Sequence, residues 1–286
     1  MPELPEVETI REDLNKLIVH KKINQIIIRN RSIVKGNVVS FKRRLQNQTI
    51  KRVDRRGKLL IFILSNNYYL LVHLRMTGQI FFQDSKHLIG GGHAEKNSSL
   101  VLPAMHTHLV LRLSGSSNIF YNDSRRFGYW QVVTQQEFAL IEKHYGPEPL
   151  ADNFSLDYWL LLCKANKSKF LKVVLLDQTK IAGIGNIYAD EICFAAKVKP
   201  TRTISSLRLK EKKNIFLAIK KIIKNGVKYR GTTFSDYRDA SGHQGNYLDR
   251  LKVYGRQNKS CLKCGQAITK IRFHGRGTHY CQFCQY

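Results

Sequence analysis

The chain has 286 residues, 43% of them hydrophobic, which is enough for more than one core on a scale of roughly 100–200 residues per domain. Its 48 Lys and Arg against 21 Asp and Glu give a net charge of +27, a field that attracts polyanions. No stretch approaches the roughly 18 uninterrupted apolar residues of a membrane span, and the opening MPELPEVETI has neither the basic nor the apolar part of a secretory signal; a membrane partner and a secreted protein are therefore not expected.

The first element is a helix over 5–18, where Val7, Ile10, Leu14, Leu17 and Ile18 share one face. Eight short strand-type runs follow: INQIIIRN, TIKRVDRR, KLLIFILS, YYLLVHLRM, QIFFQ, HTHLVLRL, NIFYND and GYWQVV. Turn residues separate them, and so many short strands predict a sandwich or barrel. Residues 84–107, rich in Gly, Ser and His, are expected as a long loop. The prolines and glycine of YGPEPLADNFS at 145–155 mark a change of character. Beyond them LDYWLLLCKA, SKFLKVVLLDQ, NIYADEICFAA and LKEKKNIFLAIKKIIKNGV carry the helical period. Polar, Gly/Ser-rich residues 230–247 read as another loop, before a tail that holds four of the six cysteines. The remaining two, Cys163 and Cys193, lie in apolar text and are expected as buried thiols. Cysteine usage of this kind fits a reducing cytoplasm.

Cys261-x2-Cys264, then 16 residues, then Cys281-x2-Cys284 is the strongest chemical signal. Four thiolates at that spacing close a tetrahedron around Zn²⁺ and leave no open position, so the expected metal is structural. Arg276, between the pairs, would be presented outward by a hairpin. At the other end, Pro2 is a small penultimate residue that favours removal of Met1. A free α-amine titrates near 7.7–8.0, about two and a half units below lysine, and can attack a carbonyl-like carbon. Glu3 and Glu6 are acids beside it. RRGK at 55–58 places the Lys58 ammonium at a turn before a strand, where it can meet a phosphate; the plainer reading is a solvated basic turn. HLRMTG (73–78) and NDSRRFG (122–128) end strands and offer Met76, Arg125 and Phe127, which either pack in the core or wedge into DNA. Glycines in IAGIGNIYADE (181–191) let backbone N–H groups at a helix start approach a phosphate.

Taken in order, MPELPEVET, RRGK, HLRMTG, DSRRFG, GIGNIYADE, VYGR and the terminal CxxC-x16-CxxC with GRGTHYC resemble the formamidopyrimidine-DNA glycosylase family, from residue 2 to residue 284. The resemblance implies an α+β multidomain protein with an N-terminal β-sandwich and flanking helices (1–135) and a linker (136–150). A helix–two-turn–helix domain with a lesion-capping loop (151–250) and a four-cysteine zinc finger (251–286) would follow. It implies a base-excision enzyme that removes oxidised purines, 8-oxoguanine and formamidopyrimidines, from double-stranded DNA and cleaves the abasic strand by β,δ-elimination through a Schiff base.

Site roles follow motif by motif. Pro2 corresponds to the nucleophile, Glu3 to the acid that assists ring opening and base loss, Glu6 to a supporting carboxylate and Lys58 to the family's essential lysine. His73, Asn186 and Arg276 match phosphate contacts. Met76, Arg125 and Phe127 match the residues that fill the hole left by the flipped nucleotide, with the arginine facing the orphaned cytosine. One structural zinc on Cys261, Cys264, Cys281 and Cys284, no redox cofactor and a cytoplasmic monomer complete the expectation. The segment 84–107 is longer than the family pattern, and the text of 230–247 matches only some members. Rival readings are an endonuclease VIII-like enzyme for oxidised pyrimidines, a non-catalytic zinc-finger protein that binds damage, and a ribosomal or RNA-binding zinc-ribbon protein. The opening PELPE and the Arg125/Phe127 pair argue against the first, and the N-terminal signature against the last.

Overall fold

Alternating apolar residues build two antiparallel sheets in the first part of the chain. The computed structural model describes residues 1–86, 88–92, 101–232 and 247–286. Contacts divide it into two units, Met1–Lys143 with Arg230–Asn246, and His144–Tyr229 with Tyr247–Tyr286.

In the first unit, helix α1 (Leu4–Ile18) precedes strands β1 (Ile23–Ile28), β2 (Ile50–Arg56), β3 (Leu59–Leu64), β4 (Tyr69–His73), β5 (Gly78–Gln83), β6 (Leu88–Gly92), β7 (Thr107–Leu113), β8 (Ser117–Asp123) and β9 (Tyr129–Val133). One sheet has the order β1-β7-β8-β5-β6 and the other β2-β3-β4-β9. Period-two alternation explains how they pack. Leu60, Phe62, Leu70 and Val72 of the smaller sheet meet Ile80, Phe82, Leu109, Leu111 and Ile119 of the larger one in a shared core, joined by Val7, Ile10, Leu14 and Ile18 from the apolar stripe of α1. On the opposite face of the smaller sheet Leu59, Ile61, Leu71 and Val133 pack against Phe138 and Ile141. This is the expected sandwich, and β3 is apolar throughout because both of its faces are covered.

Two stretches differ from the sequence reading. Residues 84–107, expected as one loop, contain strand β6, which pairs with β5 from Gln79↔Gly92 to Gln83↔Leu88; LIGGG has no alternation to reveal it, and glycine is a poor strand former. Residues 87 and 93–100 of that segment lie outside the described residues. The expected linker at 136–150 begins inside helix α3 (Gln135–Glu142). Thr134 caps it, accepting from Glu137 N at 3.2 Å, while Glu137 accepts from Thr134 N at 2.7 Å, a Thr-x-x-Glu capping box that the sequence does display. A further helix, α2 (Val38–Leu45), buries Phe41 and Leu45 and is capped by Asn37.

The second unit holds α4 (Leu156–Ala165), α5 (Leu171–Leu176), α6 (Asn186–Ala195), α7 (Leu209–Lys228) and the hairpin of β10 (Thr269–Phe273) and β11 (Arg276–Tyr280). Ser155 caps α4, accepting from Tyr158 N at 3.1 Å. Trp159 Nε1 donates to the Lys212 carbonyl at 2.8 Å and ties α4 to α7. Cys163 and Cys193 are buried, as expected; burial pushes the Cys163 thiol up to about 11 and the Cys193 thiol higher still, so neither offers a thiolate. No helix among the described residues is long and apolar enough to cross a membrane.

Candidate active site and metal centre

The chain begins inside the first unit. Glu3 is the N-cap of α1 and forms a capping box with Glu6, whose Oε2 accepts from Glu3 N at 2.9 Å. Pro2, Glu3 and Glu6 are all buried. Glu6 Oε1 also accepts from Thr232 N at 2.7 Å and Thr232 Oγ1 at 3.0 Å, while Arg230 Nη2 forms a fork on both oxygens of Asp13 at 2.7 and 2.6 Å. The first residues of the 230–247 loop are thus fastened to α1. Gly231 makes this approach possible: its φ is +77°, and a Cβ there would stand 2.7 Å from Glu6 Oε1. The rest of the loop, 233–246, with the expected lesion-capping contacts, lies outside the described residues.

The α-amine of Met1, one residue before Pro2, has its pKa lowered, first because burial disfavours the ammonium and then because Lys58 is positive, with Glu3 and Glu6 opposing. Lys58 itself is only 5% exposed, which excludes the solvated-turn reading. It follows Gly57, whose φ of +58° closes the β2–β3 turn. His73, at the end of β4, belongs to the same electrostatic neighbourhood. Its burial, with the charges of Arg75, Lys58 and Lys35, pushes the imidazole down to about 3. It is therefore neutral at pH 7, and because Nδ1 accepts from Arg75 N at 3.0 Å, Nε2 carries the hydrogen. A phosphate contact through His73 is a neutral one. Tyr129 lies between this ring, at 5.7 Å, and the Lys35 ammonium, 3.6 Å from its centroid. Neither Lys35 nor Arg75 is marked in the sequence: Lys35 stands in no motif, and within HLRMTG nothing distinguishes Arg75 from other surface cations.

Met76 is 41% exposed and Phe127 53%, so neither is a core residue. They meet through Arg125, whose Nη1 lies 3.4 Å from Met76 Sδ and whose guanidinium stands 4.5 Å above the Phe127 ring. The fold therefore brings the three expected gap-filling residues into one cluster.

In the second unit, Gln178 braces the glycine loop before α6, accepting from Gly183 N at 2.8 Å and donating to the Ile184 carbonyl at 2.8 Å. Asn186 opens α6 and donates through Nδ2 to the Gly277 carbonyl of the hairpin at 2.9 Å. Arg276 is exposed, on the residue before that carbonyl, so the loop and hairpin bring both expected phosphate contacts together. Lys172 Nζ shares the same carbonyl at 3.1 Å, and also reaches Asp190 Oδ1 at 2.6 Å and Thr278 Oγ1 at 2.8 Å. Asp190 Oδ2 accepts from His279 N at 2.8 Å. The VYGR segment is gathered by buried Glu191, which accepts from the backbone N–H groups of Lys252, Val253 and Tyr254 at 2.9–3.1 Å. Both buried acids stand in the GIGNIYADE motif but have no role assigned at sequence level, since DE inside a helix reads as surface.

The four sulfurs of Cys261, Cys264, Cys281 and Cys284 lie within 4.8 Å of one another. The Cys261–Cys284 and Cys264–Cys281 separations are 3.9 and 3.5 Å, and a zinc tetrahedron with Zn–S bonds of about 2.3 Å has edges of about 3.8 Å. The donor set thus fits one structural zinc. Cys261, Cys281 and Cys284 also belong to a small core with Val253 and Ile268.

This architecture defines a zinc-finger α+β protein in which Pro2 near the amino terminus is buried together with Glu3, Glu6 and Lys58. Family models match in order: the formamidopyrimidine-DNA glycosylase N-terminal domain at residues 1–130, its H2TH domain at 145–238, and the zinc finger found in FPG and IleRS at 258–285. Formamidopyrimidine-DNA glycosylases of Listeria monocytogenes and Carboxydothermus hydrogenoformans are each 41% identical over the whole of both chains. Among solved structures, a Lactococcus lactis Fpg variant in complex with Fapy-dG containing DNA is 32% identical, with a TM-score of 0.86 over 99% of each chain. Thermus thermophilus MutM (FPG) is 34% identical, with a TM-score of 0.84 over 99% of this chain and 98% of that one. The chain belongs to the formamidopyrimidine-DNA glycosylase family.

Proposed function

We propose that the protein excises oxidised purines, 8-oxoguanine and formamidopyrimidines, from double-stranded DNA and cleaves the strand through a Schiff base on Pro2. The observation that carries this reading is the burial of Pro2 with Glu3, Glu6 and Lys58, in surroundings that lower the pKa of the Met1 amine one residue before it. Removal of Met1 leaves the secondary amine of Pro2. Because the scissile C1′–N bond is inside a duplex, the nucleotide must first leave the stack; Met76, Arg125 and Phe127 fill the gap, and Lys58, His73, Asn186 and Arg276 hold phosphates. The Pro2 lone pair forms the bond to C1′, the base departs with the electrons of the C1′–N bond, and the proton of the Pro2 N–H is lost from the nitrogen as the departing base takes up a proton. Glu3 delivers a proton to the ring oxygen as it opens, leaving an iminium between Pro2 and C1′. Loss of a C2′ proton then expels the 3′ phosphate, and a second elimination expels the 5′ phosphate. Glu6 orders the turn that carries Pro2 and Glu3. The bound DNA of the Lactococcus lactis relatives, containing Fapy-dG in one complex and an abasic site in another, supports the substrate class. The protein acts as a cytoplasmic monomer, without a redox cofactor or membrane partner.

Borohydride trapping tests the reading. Protein with a free Pro2 is expected to form a stable adduct with duplex carrying 8-oxoguanine opposite cytosine. Protein that retains Met1 should not, since its Pro2 nitrogen is an amide. Equal trapping by both forms would remove Pro2 from the mechanism, and a panel that includes oxidised pyrimidines tests the substrate class.

A further inference from the structure

The two turns that carry the exposed cluster converge on one buried carboxylate. Asp123, the last residue of β8, is fully buried. Its Oδ2 accepts from the Tyr121 hydroxyl at 3.0 Å and from Gly128 N at 2.8 Å. Its Oδ1 accepts from Arg125 N at 3.2 Å and from the Thr77 hydroxyl. Thr77 lies in the turn that bears Met76; Arg125 and Gly128 lie in the turn that bears Arg125 and Phe127. The Asp123 carbonyl also meets buried His108 Nε2 at 2.8 Å. Burial, then the neighbouring Asp123 charge and its hydrogen bond, hold the Tyr121 phenol far above its ordinary pKa, so it stays a donor.

Both turns are also shaped around Tyr121. A Cβ at Gly128 would stand only 1.9 Å from the Tyr121 oxygen, and one at Gly78 2.8 Å from it and 2.4 Å from the Leu74 carbonyl. In each turn the residue before the exposed hydrophobe is an arginine in the left-handed region: Arg75 (φ +51°) before Met76, and Arg126 (φ +57°) before Phe127. A non-glycine residue there is strained and persists only where its surroundings hold it. The hydrogen bonds on Asp123 are the surroundings that both turns share.

We propose that Asp123, with Tyr121, is a positioning residue that holds Met76, Arg125 and Phe127 as one preformed wedge and thereby sets the choice of the base opposite the lesion. The proposal rests on the reading of the protein as a lesion-excising glycosylase. Arg125 reads cytosine only if its guanidinium is aimed, and its aim is set by its backbone bond to Asp123 and by its contacts with Met76 and Phe127. Neutralising the carboxylate disturbs both turns. Arg125 N also donates to Thr77 Oγ1 at 3.3 Å, so the carboxylate, Thr77 and Arg125 form one linked set; whichever way an Asp123→Asn amide is oriented, its NH2 group faces two of the four donors and breaks their bonds to residue 123.

The experiment compares single-turnover excision of 8-oxoguanine opposite cytosine and opposite adenine, together with strand cleavage of an abasic site in single-stranded DNA, where there is no helical gap to fill. Wild type, Asp123→Asn, Tyr121→Phe and Arg125→Ala are measured. Asp123→Asn is expected to reduce the cytosine-over-adenine ratio by about tenfold, the scale of one lost base-reading contact, with single-strand cleavage at the wild-type level. Tyr121→Phe, which keeps the ring and removes one donor, should reduce the ratio by about threefold. A folded Asp123→Asn protein with the wild-type ratio overturns the proposal. If that variant fails to fold, a wild-type ratio in Tyr121→Phe overturns it instead. A narrowed ratio in Arg125→Ala alone, with both other variants unchanged, leaves the glycosylase reading standing and removes the hub. A wild-type protein without excision removes the glycosylase reading itself.

Discussion

Lys172 and Asp190 meet at 2.6 Å between helices α5 and α6, with side chains 1% and 0% exposed. Removing one member of such a pair leaves a charge in a medium that cannot solvate it, at a cost of about 3–5 kcal/mol. Lys172→Met is therefore expected to lower the denaturant stability of the full chain by that order. It should also weaken DNA binding, because Lys172 Nζ anchors the Gly277 carbonyl next to Arg276. Unfolding curves and binding to a lesion duplex check this; a loss below about 1 kcal/mol would mean that the pair is replaceable.

The four-thiolate centre stands in the small core of the finger. Cys264→Ser replaces the exposed ligand, so the substitution itself buries nothing new. Metal content is expected to fall and DNA binding with it, while the β-sheet unit keeps its fold, since a ribbon of this size depends on its ion. Elemental analysis, binding and circular dichroism measure the three effects. Unchanged affinity in metal-free protein would exclude the finger from the DNA grip.

His73 gives a pH signature. Its folded pKa of about 3 lies below the ordinary imidazole value of 6.5, so the unfolded chain takes up the proton first. The contribution to stability is fully present above pH 6.5 and is lost as pH falls from 6.5 towards 3. His73→Gln should make the stability profile shallower in that window by about one proton. An imidazole that titrates near 6.5 by NMR would contradict the assignment.

Counterion release separates charged from neutral phosphate contacts. Arg276→Ala is expected to weaken binding to damaged and undamaged duplex alike, and to lower the salt slope by about one unit. Asn186→Ala and His73→Gln should weaken binding with little change of slope, because both are neutral donors. An unchanged slope for Arg276→Ala, measured from 50 to about 200 mM salt, would remove that arginine from the phosphate grip.

Much of the site was legible because each motif is local. PELPE, RRGK, HLRMTG, DSRRFG and the CxxC pairs each place their residues within one turn or strand end, and all eight strand-type runs became strands. What escaped was non-local. Asp123 is conspicuous only when Thr77, 46 residues away in sequence, folds against it, and Asp190 only when Lys172 and His279 arrive from two other elements. The fastening of Arg230 to Asp13 spans 217 residues, and no period or spacing reports it. The solvated reading of Lys58 failed for a related reason: four residues of sequence cannot show that the β2–β3 turn is buried.

Strand β6 has a consequence for engineering. Gly90 lies on the Phe81 ring, where a Cβ would come within 2.2 Å, and Phe81 with Val110 and Phe120 forms an apolar patch packed against Ile27 and Leu102 on the outer face of the larger sheet. Trimming residues 84–107 to a short turn would remove both β6 and Leu102. It would turn β5 into an open edge beside uncovered aromatic rings, the combination that recruits a second chain by strand pairing. Such a protein would lose solubility before it lost chemistry, and a poor yield of the shortened form would report self-association rather than a damaged active site.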